Sequence, residues 1–249
     1  MNVEDILICP LTRKELSETE EVYDIEHNNF YPGFYKQIEP APFPKAGPFP
    51  TDFTKSEYWQ AWWSKQEAME DDNFSDSRNE WADKLREHFI SNYKIKGTLL
   101  DIGCGDPDLS IKNYYPYIDK SDYVGFDPIE NTDKNVVCGL AEYLPFRDTS
   151  FDNAAIMTVL DHIINTNRSL SEVSRILKPG GKLYIVTLVW KSNFELDRDE
   201  FHFHHFAYDE LLDHFSKNGF SITKESLIPW KQDYRNAYFF ELTKEEDNK

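Results

Sequence analysis

The residues best suited to chemistry form a short glycine turn behind an aspartate, in the stretch TLLDIGCGDP that begins at Thr98. Its first five residues are mostly apolar and β-prone, which is typical of a strand buried on both faces of a parallel sheet. Gly103 and Gly105 then allow a sharp turn and a close approach of the backbone to a ligand. Residues 108–117 predict a helix whose free N–H groups point to the same place. Asp101 would thus lie at the carboxyl end of a strand, where open α/β sheets bind ligands.

The glycine turn alone does not identify that ligand. A dinucleotide-binding turn has the pattern G-x-G-x-x-G, and this chain lacks the third glycine. A phosphate-binding loop would end in Gly-Lys-Ser or Gly-Lys-Thr, which is absent as well. A carboxylate beside the turn favours a ligand that carries an ammonium group over one that carries a pyrophosphate.

A second acid follows the next predicted strand, in the stretch YVGFDP at residues 123–128. The carboxylate of Asp127 can accept hydrogen bonds from both hydroxyls of a ribose, as an acid does at this place in dinucleotide folds. An isolated aspartate here is often an ordinary turn residue. Together with the glycine turn, Asp127 indicates a ligand that contains a nucleoside.

With these two acids, the turn resembles the first motif of class I S-adenosylmethionine-dependent methyltransferases, D/E-x-G-x-G-x-G. Pro107 replaces its last glycine, and proline is acceptable in the first turn of a helix. The segment GLAEYLPF at 139–146, followed by SFD, is similar to the family's G-D-A-E-x-L-P-F…S-F-D, whose backbone and acid grip adenine. Leu140 replaces the aspartate of that motif, and one lost charge-assisted hydrogen bond costs about 1.5–3 kcal/mol.

The resemblance implies S-adenosylmethionine as the cofactor. A further match at residues 172–185, similar to E-x-x-R-x-L-K-P-G-G-x-L, returns a helix to the fifth strand and is assigned no chemistry. The cofactor-binding residues that the resemblance implies are Asp101, Gly103, Cys104, Gly105, Asp127, Pro128, Ala141, Glu142 and Thr158.

The acceptor side is less defined by the sequence. Methyl transfer is an in-line displacement, in which the protein aligns the acceptor and removes a proton when the acceptor is a hydroxyl. The resemblance places residues 158–162 (TVLDH) opposite the methyl group. Asp161 and His162 are a candidate base pair, in which the carboxylate stabilises the charged imidazole. The alternative is that His162 only caps or packs in this loop.

A second group of histidines, His202, His204 and His205, precedes a predicted helix at 207–218. In the family such a loop often lines the acceptor pocket, so one of these three histidines is expected to bind or deprotonate the acceptor. Of the three, His204 is the one predicted to be catalytic. The histidine spacing matches no strong zinc signature, and we predict no metal site.

Composition restricts the partners. The 249 residues include 45 acidic and 27 basic side chains, a net charge of −18, without the positive footprint that nucleic-acid binders need. A nucleic-acid partner is therefore not expected. No apolar run reaches the ~18 residues of a membrane span. Three widely spaced cysteines fit a reducing compartment, so we expect a cytoplasmic protein. The sequence favours no particular oligomeric state.

The chain divides into three predicted parts. Residues 1–50 form an extension that ends in a proline-rich connector. Its stretch ILICPLTRKEL faintly resembles the first knuckle of zinc ribbons, but Thr12 stands where a second cysteine would fall, so a hairpin packed on the core is predicted. Residues 51–96 predict a helical cap, in which Tyr58, Trp59 or Arg78 could touch the cofactor or the acceptor. Residues 97–249 predict the methyltransferase core.

Alternating strands and helices beyond residue 97 predict an α/β fold, a doubly wound, mainly parallel sheet of seven strands. A loose resemblance to methyltransferases of polysaccharide and glycolipid biosynthesis implies O-methylation of a saccharide or another small polar acceptor. Two alternatives stay open at this point: a non-catalytic module that binds the cofactor or a partner, and a protein- or RNA-directed methyltransferase.

Overall fold

The computed structural model describes residues 2–10, 13–15, 76–128, 133–191, 204–229 and 235–245. Within these residues strands and helices alternate along the chain, as the sequence predicts, except in two runs of successive strands. In order they are α1 (Asp76–Asn92), β1 (Leu99–Ile102), α2 (Pro107–Tyr114), β2 (Tyr123–Asp127), β3 (Val136–Cys138), β4 (Phe151–Met157), α3 (Thr166–Ile176), β5 (Leu177–Trp190), α4 (Tyr208–Lys217), β6 (Phe220–Pro229) and β7 (Arg235–Lys244).

The seven strands form one sheet in the order β3-β2-β1-β4-β5-β7-β6. Strands β1 to β5 run parallel, and β7 runs antiparallel to both β5 and β6. The order reverses between β1 and β4, and open α/β sheets bind ligands outside the carboxyl ends of the strands at such a switch point. The predicted fold class, a Rossmann-like methyltransferase sheet, is confirmed.

Side chains of the central strands alternate between two apolar clusters because successive residues of a strand point to opposite faces. Leu100 and Ile102 of β1 belong to the cluster that contains the buried residues of α3 and α4. Leu99 belongs to the cluster that contains Phe89 of α1 and Tyr115. The helices therefore hold the sheet from both faces and leave the carboxyl edge of the strands for a site.

The start of β5 differs from the prediction. The Lys-Pro-Gly-Gly sequence of Lys178–Gly181 predicts a turn that ends the helix before the strand, but Leu177 already pairs with Phe151, and the ladder resumes at Lys182 opposite Asn153. The four residues between form a bulge in which Gly180 has a φ of 71°. The ion pair of Lys178 with Asp152 (2.7 Å) ties this bulge to β4.

The N-terminal hairpin is present. Ile8 pairs with Glu15, and Leu7 bridges to Phe146 of the core. Helix α1 occupies the later part of the predicted helical cap. Tyr58 and Trp59 lie outside the described residues, as do the proline-rich connector and the side chain of Arg78. The three-part division of the chain stays a prediction. Across the described ranges, no helix has both the length and the apolar character needed to cross a membrane.

Candidate cofactor and acceptor site

The glycine turn follows β1 and is fixed against β2. The N–H groups of Gly103 and Cys104 both point to the carbonyl oxygen of Phe126, at 2.7 and 3.4 Å. Gly103 has a φ of 76°, and a Cβ atom there would lie 2.5 Å from a methyl group of Val159. Gly103 is therefore required by its backbone conformation and by its contact with the turn after β4.

Gly105 lies at the exposed side of the glycine turn. Its φ is 54°, it is exposed, and a Cβ atom there would meet no atom within 4 Å. The backbone thus borders open space at the carboxyl edge, next to Asp127. A small nucleoside derivative can approach the chain there without a side chain in the way.

Asp127 connects the ends of β1 and β2. Its Oδ2 accepts a hydrogen bond from the N–H of Gly105 (2.9 Å), and the residue is 7% exposed. This bond fixes the carboxylate beside the glycine turn. Pro128 follows directly, and its carbonyl oxygen lies 3.3 Å from the Sγ of Cys138 on β3. The position of Asp127 suits the predicted contact with a ribose.

Asp101 is 1% exposed and is surrounded by three hydroxyl donors. Tyr115 donates to its Oδ1 (2.8 Å), while Ser110 and Tyr123 donate to its Oδ2 (2.6 and 2.8 Å). Burial raises the pKa of this carboxyl, and the three hydroxyl bonds act against that rise. Asp101 thus holds α2, Tyr115 and β2 at the end of β1. Its contact with a cofactor stays a prediction.

Cys104 is buried between the glycine turn and β2. A Cβ atom on Gly125 would lie 2.7 Å from its Sγ, so the thiol fills the space that Gly125 leaves. Burial raises the pKa of this thiol far above its usual value, and a thiol in that state is neutral and unreactive. Any contribution of Cys104 to a cofactor site is therefore through its backbone.

Ala141 and Glu142 form a 3₁₀ turn, Ala141–Tyr143, after β3. The Glu142 side chain is buried and accepts the N–H of Asn165 through Oε1 (3.0 Å). Burial raises the pKa of this carboxyl. Leu140, which replaces the family's aspartate, is 5% exposed and belongs to the apolar core. Both side chains therefore face the protein, and the backbone of this turn is what a ligand could meet.

Thr158 has an unusual backbone at the end of β4. Its φ of 59° lies in the left-handed region, which a β-branched residue rarely occupies. The conformation is held by the N–H of Thr158, which donates to Val186 (2.7 Å), and by its Oγ1, which donates to Met157 (2.7 Å). Such strained residues cluster at functional sites. The exposed Thr158 lies at the same sheet edge as the glycine turn.

The predicted base pair lies in the next turn, Leu160–His162. Asp161 is 4% exposed, and its Oδ1 is 3.9 Å from Nε2 of His162. This distance is too long for a direct hydrogen bond. The two side chains lie near each other, as residues adjacent in sequence can, but they do not form the direct hydrogen bond expected of a carboxylate–histidine pair.

His204 comes to the same turn from the segment before α4. Its N–H donates to the carbonyl of Asp161 (3.2 Å), and its Nε2 lies 2.8 and 3.0 Å from the carbonyls of Ile163 and Ile164. Carbonyls only accept hydrogen bonds, so Nε2 carries a proton, and only Nδ1 can act as a base. Burial lowers the pKa of His204 and favours this neutral form.

The remaining histidines of the cluster are placed differently. His205 stacks on Trp190, with ring centroids 4.1 Å apart, and His202 lies outside the described residues. Among the residues that the structure describes, no group of three or more potential ligands is arranged to hold a metal ion.

Sequence reasoning missed the hydroxyl donors around Asp101. Ser110, Tyr115 and Tyr123 come from α2, the residue after it and β2, and no motif spacing connects them to the glycine turn. The sequence carries one weak signal for these donors. Tyr115 and Tyr123 occupy apolar positions, where phenylalanine would pack equally well without a hydroxyl. A buried tyrosine hydroxyl normally has a partner.

Comparison with known proteins gives the family. Residues 100–185 match the family model described as a methyltransferase domain. They include β1, β2 and β4, the glycine turn, Asp127, Glu142 and the turn after β4. Residues 100–185 therefore belong to a methyltransferase domain, and its class is the S-adenosylmethionine-dependent class I. The family predicted from the sequence and its cofactor are confirmed.

Two relatives and one solved structure show how far this likeness extends. The chain is 32% identical over 75 residues to sterol 4-C-methyltransferase strm-1 of Caenorhabditis elegans, which covers 29% of this chain and 22% of the relative. It is 27% identical over 176 residues to the human protein named Probable tRNA methyltransferase 9B, covering 68% and 33%. The structure of phosphoethanolamine N-methyltransferase 2 of Haemonchus contortus, with S-adenosylhomocysteine, aligns with a TM-score of 0.52 at 17% identity, covering 66% and 53%.

The chain spans a third or less of these two relatives, and their names give different acceptors, a sterol and a tRNA. At 17% identity the solved structure shows the fold alone. The comparisons thus agree on the class of enzyme domain and differ on the acceptor.

Proposed function

We propose that this protein transfers a methyl group from S-adenosylmethionine to an acceptor at the carboxyl edge of β1, β2 and β4. The observation that carries the proposal is the bond from Gly105 N–H to Asp127 Oδ2, beside the open space above Gly105. It lies inside the segment that matches the methyltransferase domain. When bound, the cofactor supplies an electrophilic methyl group on a sulfonium.

The chain's own residues divide the work of holding the cofactor. Asp127 accepts the ribose hydroxyls, the backbone of Gly103–Gly105 borders the methionine part, and Ala141 and Glu142 border the adenine through their backbone. Asp101 contributes negative charge from the end of β1, behind the glycine turn. Its three hydroxyl donors fix the position of this carboxylate. Cys104, Pro128 and Thr158 complete the edge of the site.

For the acceptor, we propose a small polar molecule, with O-methylation of a saccharide or similar hydroxyl as the reaction. The net charge of −18 disfavours a polyanionic acceptor such as RNA. His162, with Asp161 beside it, takes the hydroxyl proton. His204 holds the turn that carries them and can accept a proton only at Nδ1.

Titration calorimetry with S-adenosylhomocysteine tests the cofactor site. Asp127→Ala removes the ribose acceptor and the anchor of Gly105, and we expect a loss of affinity of about 100-fold, since two hydrogen bonds to a carboxylate are lost. Asp133→Ala is the matched control, because this acid precedes β3 and pairs with Lys120 on the surface (2.9 Å). A wild-type protein that binds no S-adenosylhomocysteine would refute the proposal.

The second candidate is a cofactor-binding module without catalysis. The 3.9 Å separation of Asp161 and His162, and the commitment of His204 Nε2 to two carbonyls, favour it. Transfer of label from methyl-labelled cofactor to any component of a cell extract would exclude this candidate. The same assay separates acceptors: label in the small-molecule fraction supports the saccharide proposal, and label in RNA or protein contradicts it.

We also propose a cytoplasmic location. Cys9, Cys104 and Cys138 form no disulfide with one another, as is usual in proteins of a reducing compartment.

A further inference from the structure

The described residues of the N-terminal hairpin, 6–10 and 13–15, include some that pair with the segment after the turn of Ala141 and Glu142. The N–H of Ile8 donates to Pro145 (2.8 Å), and the N–H of Arg147 donates to Ile6 (2.8 Å). Leu7 between them is 4% exposed and belongs to the apolar core. The hairpin thus adds a short antiparallel ladder to residues 145–147, although it lies outside residues 100–185 that match the family model.

Arg13 of the hairpin reaches further toward the candidate site. Its Nη1 donates to the carbonyl of Leu144 (3.3 Å), and its Nη2 donates to Oε1 of Glu172 (2.5 Å), whose side chain is 8% exposed. The backbone of Arg13 is left-handed, with a φ of 60°. A non-glycine residue keeps this conformation only when its surroundings enforce it, and such residues often mark functional positions.

The backbone carbonyls of residues 142–146 are held from two sides. Helix α3 provides Arg168, which donates to Glu142 (2.9 Å), and Arg175, which donates to Leu144 (3.0 Å) and Phe146 (2.6 Å). The hairpin provides the bonds to Leu144 and Pro145. A segment without regular structure, next to the adenine-binding turn, therefore takes its shape from both α3 and the hairpin.

We propose that Arg13 is a positioning residue, which holds the turn of Ala141 and Glu142 in the shape that binds the adenine of the cofactor. The inference rests on the proposed cofactor site. It makes the N-terminal hairpin a working part of that site, although the hairpin's own sequence carries no cofactor motif. Arg13 acts through the carbonyl of Leu144 and through Glu172, which also receives Arg175 (3.0 Å), and does not touch the cofactor itself.

Arg13→Gly tests the proposal because glycine accepts the left-handed backbone without strain and removes the side chain with the guanidinium that contacts Leu144 and Glu172. Affinity is measured by calorimetry for S-adenosylhomocysteine and for 5′-methylthioadenosine, which keeps the adenine and ribose but lacks the amino-acid part. We expect both ligands to bind about tenfold more weakly, the loss that one charge-assisted hydrogen bond produces. Lys182→Ala is the control, because this cation also pairs with a carboxylate, Glu241 (2.6 Å), at the start of the β5 ladder.

The possible outcomes distinguish the role of Arg13 from the proposed cofactor site on which it rests. Unchanged affinity of Arg13→Gly for S-adenosylhomocysteine would overturn the inference, as would a loss for S-adenosylhomocysteine without one for 5′-methylthioadenosine. A wild-type protein that binds neither ligand would refute the cofactor site itself. Thermal melting of each variant shows whether it is folded at the temperature of the titration.

Arg13→Lys keeps the result decisive if the glycine variant does not fold. A lysine ammonium can reach Glu172 or Leu144 but lacks the planar fork that reaches both. We expect a loss for both ligands that is smaller than tenfold but measurable. A folded Arg13→Lys protein that binds both ligands like the wild type would contradict the proposal.

Discussion

The carboxyl edge of the sheet has two halves that are built differently. The half that we propose binds the methyl donor, called here the donor half, comprises the ends of β1 and β2 with the glycine turn. Its carboxylates have short hydrogen bonds, from three hydroxyls to Asp101 and from the N–H of Gly105 to Asp127. The other half is proposed to bind the acceptor and is called the acceptor half. The acceptor half comprises residues 158–162 and His204. There the backbone of Thr158 is strained, and Asp161 and His162 are 3.9 Å apart.

The difference between the halves fits the ligands that we propose for them. One cofactor serves many methyltransferases, so a rigid, preorganised donor half can be reused. Acceptors differ, and the names of the relatives, which give a sterol and a tRNA, show that difference. Function on a common fold lies in local sites. The halves meet where Val159 packs on Gly103, so the acceptor half is aligned on the donor half.

The largest expected effect separates the halves directly. His162→Ala removes the proposed base, and we expect methyl transfer to a hydroxyl to fall by about 10²–10⁴-fold at saturating cofactor. Affinity for S-adenosylhomocysteine should stay within about twofold, because the donor half is untouched. Transfer of label to the small-molecule fraction of a cell extract measures the rate, and calorimetry measures the affinity.

His204→Ala is the companion variant for this prediction. It removes the bonds to Ile163 and Ile164, so we expect a smaller loss of rate together with a lower melting temperature. If both variants transfer methyl groups at the wild-type rate, histidine base catalysis in the acceptor half is excluded.

A smaller effect is expected from the hydroxyls of the donor half. Burial raises the pKa of Asp101, so the folded protein binds this proton more readily than the unfolded chain, and stability falls as pH rises from the ordinary aspartate value through the raised one. Tyr115→Phe removes a bond that lowers this pKa and therefore extends the fall to higher pH. We expect the free energy of unfolding to drop by about 1.5–3 kcal/mol at pH 7, and by less at about pH 3.

Chemical denaturation at the two pH values measures this prediction. Tyr114→Phe is the matched control, because Tyr114 is the neighbouring tyrosine and its hydroxyl donates to no carboxylate of the described residues. An equal loss of stability at both pH values would show that the Tyr115 hydroxyl does not act on the ionised form of Asp101.

The fold could be predicted from the sequence, and a donor half proposed from it, because their signals are local. Each of these signals lies within one short stretch of sequence: the strand before Gly103, the acid Asp127 and the amphipathic helix α3. Hydrophobic periodicity and turn-forming residues are sufficient to predict them. The prediction that Ala141 and Glu142 border the cofactor came from a motif, but the motif did not show that the Leu140 side chain enters the core.

The rest depends on contacts between distant parts of the chain. Arg13 and Glu172 are 159 residues apart, and His204 reaches Ile163 across 41 residues. No periodicity links such pairs, since side-chain direction in a loop follows from tertiary packing. The left-handed Thr158 gave no signal, because threonine is not a residue that favours that conformation.

The smallest predicted effect concerns that strained residue. Glycine adopts a positive φ without steric conflict, so Thr158→Gly relieves strain of about 1–3 kcal/mol. Two effects oppose this gain: the Oγ1 bond to Met157 is lost, and the unfolded chain has more conformational entropy. We expect a net gain in the free energy of unfolding of no more than about 1 kcal/mol, measured by denaturation. If the strain positions residues 159–162 for the acceptor, the relaxed variant transfers methyl groups more slowly although it is more stable, and its affinity for S-adenosylhomocysteine changes little. A stabilised variant with the wild-type transfer rate would show that the acceptor half does not depend on this strain.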